Sequence, residues 1–184
     1  RSFEEAVAAI YGADGCVAVS SGLAAVTNGI LACVKPGDHI LMTDNVYGPA
    51  RNFANGFLDK FGIETTFFDP LIGSDIKTLF NDNTVAVYTE APGSQTFEIS
   101  DIPAIADAAH EIGAVVLMDN TWASALYFDA FNKGVDIVIE AVTKYICGHS
   151  DVMMGVIVAN QDWSDATREM AQMHGNVSGP DDLY

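Results

Sequence analysis

The sequence is poor in basic residues. Lys and Arg together number 8 against 25 Asp and Glu, which gives a formal net charge of −17. Such a charge repels nucleic acid and anionic membrane surfaces at short range. We therefore expect neither a nucleic acid nor a membrane among its partners. The same field opposes the binding of a phosphate, so a phosphorylated ligand would need short-range donors such as backbone amides at a helix start.

Cysteines and long apolar runs are also scarce. The three cysteines are odd in number and lack paired metal-ligand spacing, which predicts neither a disulfide framework nor a metal site. No stretch reaches the roughly 18 uninterrupted apolar residues of a membrane span. With no initiator methionine and no secretory signal at the start, we expect an excerpt of a longer protein that resides in the reducing cytoplasm.

Apolar segments rich in β-branched residues alternate with helical segments along the 184 residues. This alternation predicts an α/β fold in one domain, with a mostly parallel sheet of about seven strands flanked by helices. The predicted strands are residues 16–20, 39–43, 64–68, 84–89, 114–119, 136–141 and 154–159. The predicted helices are residues 2–11, 22–33, 49–61, 72–79, 101–111, 124–131 and 164–173.

Lys144 and Asp119 each follow a predicted strand. Because ligands bind outside the carboxyl ends of parallel strands, we expect both side chains at one edge of the sheet, with Lys144 partly buried. An amine that can bond to an aldehyde and a carboxylate that keeps a ring nitrogen protonated are what pyridoxal phosphate requires of a protein. Taken singly, either residue is as readily a surface lysine or a capping aspartate.

Other strand ends add groups that suit the same ligand. The turn at Ser21, Gly22 and Leu23 opens a predicted helix, whose free amides and hydroxyl could hold a phosphate, and Thr143 could add a second hydroxyl. Tyr47 follows another strand and could lie flat on a heteroaromatic ring or assist proton transfer. Each of these is also compatible with an ordinary turn or with packing.

Five segments in order resemble the Cys/Met-metabolism enzymes that depend on pyridoxal phosphate. They are residues 20–25 (SSGLAA), 45–51 (NVYGPAR), 90–98 (EAPGSQTFE), 119–123 (DNTWA) and 143–151 (TKYICGHSD). The resemblance implies the large domain of a fold-type I, aspartate aminotransferase-like enzyme. Residues 1–184 would be a partial domain of this kind, without the N-terminal arm and the C-terminal small domain.

The resemblance also implies roles for individual residues. Lys144 would be the Schiff-base lysine and proton shuttle, Asp119 would pair with the ring nitrogen, and Tyr47 would stack on the ring. The residues around the phosphate would be Ser21, Gly22, Leu23 and Thr143. The family often has serine three positions before the lysine, where this chain has Ala141, so one phosphate contact would be absent or replaced.

Within that family, the motifs are most similar to the branch that cleaves cystathionine by β-elimination to homocysteine, pyruvate and ammonia. A γ-elimination or γ-replacement enzyme acting on cystathionine, methionine or a homoserine ester is the alternative, and a non-catalytic cofactor-binding or regulatory domain is a second one. The family further implies a homo-oligomer, a dimer of dimers, with each active site shared between subunits and an amino acid as substrate.

Overall fold

The computed structural model describes residues 2–183. Seven strands form one sheet in the order β1-β7-β6-β5-β4-β2-β3. Their bounds are β1 Gly15–Val19, β2 His39–Thr43, β3 Glu64–Phe68, β4 Thr84–Glu90, β5 Val115–Asp119, β6 Ile137–Glu140 and β7 Gly155–Ala159. Only β7 runs antiparallel to its two neighbours. The carboxyl ends of the other six strands and the start of β7 therefore lie at one edge.

Helices cover both faces of this sheet. Their bounds are α1 Ser2–Tyr11, α2 Gly22–Leu31, α3 Gly48–Phe53, α4 Ile102–Glu111, α5 Ser124–Tyr127 and α6 Ser164–Met173. The core on one face includes residues of α1 and α4, and the core on the other includes residues of α2, α3 and α6. Burial on both sides explains why the central strands β5, β6 and β7 are mainly apolar and show no period-two alternation, whereas the edge strand β3 (ETTFF) is only partly buried. No helix among residues 2–183 is long and apolar enough to cross a membrane.

The predicted architecture is confirmed, but three predicted helices differ from the structure. The segment 49–61 divides into α3 and a π-helical turn, Ala54–Leu58, where Gly56 is a poor helix former. The segment 72–79 is a 3₁₀ helix, Gly73–Leu79, because Gly73 has a positive φ of 53°. The helix predicted at 124–131 ends after four residues, where Phe128 turns extended and its carbonyl accepts a hydrogen bond from Asn120.

Candidate active site

Asp119 lies at the centre of the carboxyl edge of the sheet. It ends β5 between the ends of β4 and β6, its side chain is buried, and its Oδ1 accepts a hydrogen bond from the Thr121 amide at 3.0 Å. Burial raises the pKa of the Asp119 carboxyl above its usual range, while hydrogen bonds from Thr121 and the positive charge of Lys144 both lower it. The carboxyl is thus held where an added positive charge would favour its ionised form.

Lys144 is brought to the same place by the turn that follows β6. Its backbone amide donates to the Ala141 carbonyl at 2.9 Å, and its charge acts on Asp119. The two residues that the sequence singled out therefore follow adjacent parallel strands and come to the same edge of the sheet. The lysine is exposed rather than partly buried as predicted, because the segment around it, 144–146, projects from the edge of the sheet.

Glu90 is a site residue that the sequence reasoning missed. It ends β4 directly beside Asp119 in the parallel register, and it is 3% exposed. Burial and the neighbouring negative charge of Asp119 raise the pKa of the Glu90 carboxyl to about 7. The signal in the sequence was the same as for Asp119, since Glu90 closes a buried apolar strand. The sequence reasoning treated Glu90 only as the first residue of a loop.

The Glu90 carboxylate also fixes two loops above the site. Its Oε2 accepts from the Tyr47 amide at 2.7 Å, and its Oε1 accepts from the Ser94 hydroxyl at 2.6 Å. The Ser94 amide in turn donates to the Asn45 carbonyl at 2.9 Å. Gly93 permits this approach, because a Cβ there would lie 1.8 Å from the side-chain nitrogen Nδ2 of Asn45. Tyr47 is anchored through its backbone, while its ring is 45% exposed and available to a ligand.

A tight turn opens α2 at the same edge. Ser21 is the N-cap residue, and its Oγ accepts from the Ala24 amide at 3.0 Å, which leaves its hydroxyl proton available. The amides of Gly22 and Leu23 lie in the first turn of the helix, where amides have no acceptor within the helix. This turn presents the donors that the predicted phosphate cup requires.

Close packing holds that turn against the lysine segment. A Cβ on Gly22 would lie 2.7 Å from the Cβ of Ala141, and a Cβ on Gly155 would lie 2.3 Å from the Ser21 carbonyl oxygen. The methyl group of Ala141 therefore packs directly against the start of α2. The backbone of the cup sits between the segment that leads to Lys144 and the first residue of β7.

Thr143 is placed less favourably than predicted. Its hydroxyl donates to the Met154 carbonyl at 3.1 Å and accepts from the Met154 amide at 2.9 Å. Both interactions tie the lysine segment to the residue before β7. The hydroxyl proton must turn away from Met154 before Thr143 can donate to a phosphate, so its predicted role as a phosphate ligand stays a prediction.

The residues of this edge fit pyridoxal phosphate. The Asp119 carboxyl is buried, and no cation of residues 2–183 lies within ion-pair distance of it. A protonated ring nitrogen would supply the missing positive charge. The start of α2 provides amide donors without adding charge, as a phosphate in so acidic a protein requires.

Known proteins of one family resemble this chain over nearly its whole length. The family model described as Cys/Met metabolism PLP-dependent enzyme matches residues 1–184. A protein of Rhizobium johnstonii with a provisional cystathionine beta-lyase name is 49% identical over 180 residues, which cover 98% of this chain and 46% of that protein. Escherichia coli cystathionine beta-lyase MetC is 42% identical over 185 residues, which cover 100% of this chain and 47% of that protein.

A solved structure and a relative with a different name extend the comparison. The crystal structure of metB from Corynebacterium glutamicum superposes with a TM-score of 0.95 at 33% identity, covering 100% of this chain and 48% of that one. A cystathionine gamma-lyase of Dictyostelium discoideum is 36% identical over 185 residues, which cover 100% of this chain and 48% of that protein.

The chain thus spans about half the length of the curated relatives it matches. The match to the family model nevertheless covers the entire sequence, and the predicted cofactor is the one for which the family is named. The chain belongs to the Cys/Met metabolism family of pyridoxal-phosphate-dependent enzymes.

Proposed function

We propose that the protein is a carbon–sulfur lyase that uses pyridoxal phosphate to cleave cystathionine by β-elimination, giving homocysteine, pyruvate and ammonia. The observation that carries the proposal is that Asp119 ends β5 and Lys144 follows the adjacent parallel strand β6, so both residues come to the carboxyl edge of the sheet. A buried carboxyl suits the ring nitrogen of pyridoxal phosphate, and an amine at the same edge suits its aldehyde. The names of the most similar relatives favour cystathionine as the substrate.

When bound, pyridoxal phosphate supplies an electron sink for the carbanion formed at the substrate α-carbon. Lys144 holds the cofactor between turnovers. The Lys144 amine, when free, would remove the substrate α-proton and could return a proton to the departing sulfur. Asp119 keeps the ring nitrogen protonated by holding a negative charge beside it.

The remaining residues bind and orient. Ser21, Gly22 and Leu23 hold the phosphate through amides and a hydroxyl at the start of α2. Tyr47 covers one face of the ring, and its backbone bond to Glu90 sets the position of that cover. The Glu90 carboxylate thereby connects the stacking residue to the edge of the sheet that carries Asp119.

A γ-elimination is the second candidate, because the Dictyostelium relative is named as a gamma-lyase. Both reactions begin with removal of the α-proton, so Lys144 and Asp119 serve either one equally. The test is to supply the whole purified protein with cystathionine and to identify the keto acid formed. Pyruvate is expected from β-cleavage, and 2-oxobutyrate would support the γ-lyase instead. No keto acid from cofactor-loaded protein would favour a non-catalytic cofactor-binding domain.

The proposal extends to assembly and location. A homotetramer built as a dimer of dimers would place a neighbouring subunit at the exposed edge that carries Tyr47 and Lys144. Sedimentation of the whole protein tests this, and a monomer that retains full activity would contradict the shared site. A cytoplasmic location stays a prediction.

A further inference from the structure

A second buried carboxyl lies on the opposite face of the sheet from Asp119. Glu140 ends β6, one residue beyond Ile139, which is the register partner of Asp119. Because successive side chains of a strand point to opposite faces, Glu140 points toward the core that includes α1. Its side chain is 1% exposed. A carboxyl buried this deeply requires an explanation, since an ionised one is costly in such surroundings.

Tyr11 at the end of α1 is the hydrogen-bond partner of Glu140. The Tyr11 hydroxyl donates to Oε2 of Glu140, and the edge of its ring meets the ring of Phe131 with centroids 6.3 Å apart. Within residues 2–183, Oε1 of Glu140 and Oδ1 of the neighbouring Asn120 have no hydrogen-bond partner. Glu140 therefore retains an oxygen that can carry a proton while Tyr11 remains bound to the other.

The charges around Glu140 come from three elements. Tyr11 faces it from α1, Asp119 acts on it from β5, and the Cys16 thiol of β1 lies within range of its charge. Burial raises the pKa of the Glu140 carboxyl to about 7, the hydrogen bond from Tyr11 lowers it, and the negative charge of Asp119 raises it. Glu140 is thus electrostatically coupled to Asp119, and this coupling is reciprocal.

We propose that Tyr11 and Glu140 form a proton-linked positioning pair for the coenzyme site, in which Glu140 releases a proton to solvent when a ring cation docks on Asp119. The inference rests on the cofactor placement proposed above. One positive charge arrives at Asp119 and the proton that Glu140 holds at that pH leaves, which limits the rise in net positive charge at this edge. Tyr11 sets the pH range of the exchange through its hydrogen bond to Glu140.

A proton-linked pair predicts a pH dependence of cofactor affinity that a merely structural contact does not. An ionised Glu140 adds a second negative charge near the ring cation and strengthens its binding, whereas a protonated Glu140 adds none. The affinity of the apo-protein for pyridoxal phosphate should therefore include a component that rises with pH through the range near 7, where Glu140 titrates. A packing role alone would leave this pH dependence untouched.

The test measures proton release when pyridoxal phosphate binds to the whole apo-protein. Calorimetric titrations in buffers of different ionisation heat give the number of protons released. Near neutral pH, Glu140→Gln should release about half a proton fewer than the wild type, because the wild-type carboxyl is about half protonated there. At about pH 8, the same variant should bind the cofactor on the order of tenfold more weakly, with the difference vanishing near pH 6.

Two further variants complete the test. Tyr11→Phe keeps the carboxyl but removes the hydrogen bond that lowers its pKa, so the proton release attributable to Glu140 should move to higher pH. Glu5→Gln removes an exposed carboxylate from the same helix and should match the wild type. If Glu140→Gln does not fold, the pH at which Tyr11→Phe releases the proton decides whether the proposal holds.

Unchanged proton release and unchanged affinity at about pH 8 in Glu140→Gln would overturn the proposal. A Tyr11→Phe protein that releases its proton over the same pH range as the wild type would overturn it as well. The proposed function is judged separately, by whether the wild-type protein binds pyridoxal phosphate through Lys144. If it does while the variants behave as the wild type, only the pair proposal fails. If the wild type binds no cofactor, both proposals fail.

Discussion

The carboxyl edge of the sheet has two halves built on different principles. The start of α2, where a phosphate would bind, consists of small residues in close backbone contact, with Gly155 and Ala141 packed against Ser21 and Gly22. The centre contains three buried carboxyls at the ends of adjacent strands: Glu90 and Asp119, on the face where a ring would bind, and Glu140 on the opposite face. One half works through shape and amide donors, and the other through buried charge.

This difference shows how an acidic protein can bind an anionic cofactor. The phosphate is offered neutral donors at a helix start. The negative groups are gathered where the cofactor carries its positive charge. Steric substitutions should therefore damage the first half at every pH, whereas charge substitutions should damage the second in a pH-dependent way.

The largest effect is expected from the ring half. Asp119→Ala removes the negative charge that keeps the ring nitrogen protonated, so turnover should fall about a thousandfold or more while the cofactor stays attached to Lys144. Steady-state kinetics and the cofactor absorbance of the whole protein measure the two quantities. Asp107→Asn on the exposed face of α4 is the control. Near-normal turnover in Asp119→Ala would remove its proposed role.

In the phosphate half, a substitution that adds a methyl group should distort the turn at the start of α2. Gly155→Ala places a methyl group 2.3 Å from the Ser21 carbonyl oxygen, which forces the cup to shift. We expect a loss of about 3 kcal/mol in the free energy of unfolding and weaker cofactor binding to a similar degree at acidic and alkaline pH. Gly56→Ala, where a Cβ meets open space, is the matched control. A Gly155→Ala protein as stable as the control would contradict the close packing of the cup.

The buried carboxyls should give the apo-protein a characteristic pH dependence of stability. Burial raises the pKa of Glu90 from 4.5 in the unfolded chain to about 7, so between these values the folded state binds more protons than the unfolded state. The contribution of Glu90 to the free energy of unfolding therefore falls as the pH rises through this window and is constant above it.

Glu90→Gln should remove about 3 kcal/mol of that decline, measured by denaturant unfolding of the whole apo-protein across the window. Glu169→Gln, which alters an exposed carboxylate on α6, should leave the decline unchanged. An identical slope in wild type and Glu90→Gln would show that Glu90 titrates as an ordinary surface group.

The smallest effect concerns the ring of Tyr47. Its amide is held by Glu90 whatever the side chain, so Tyr47→Ala should keep the loop and lose only the cover on the cofactor ring, weakening cofactor binding by about tenfold. Tyr47→Phe keeps the stacking surface and isolates any contribution of the hydroxyl to turnover. Equal cofactor affinity of the alanine and phenylalanine variants would exclude stacking as the role of this ring.

The sequence predicted the strands better than the site. Strand β5 is a continuous apolar run that ends at a carboxylate, so the position of Asp119 at the carboxyl edge could be predicted directly. Glu90 and Glu140 end strands in the same way, but their significance depends on which strands are neighbours. The Tyr11–Glu140 contact joins the first helix to the sixth strand, and no local sequence pattern predicts it. The exposure of Lys144 likewise depends on tertiary placement.

The most direct test of the central claim is to load the whole protein with pyridoxal phosphate, reduce it with borohydride and map the labelled lysine by mass spectrometry. The chain offers five lysines, at positions 35, 60, 77, 133 and 144. We predict that the label is found on Lys144 and is lost in Lys144→Ala. A label on another lysine, or an unchanged level of labelling in the variant, would contradict the assignment of this edge as the cofactor site.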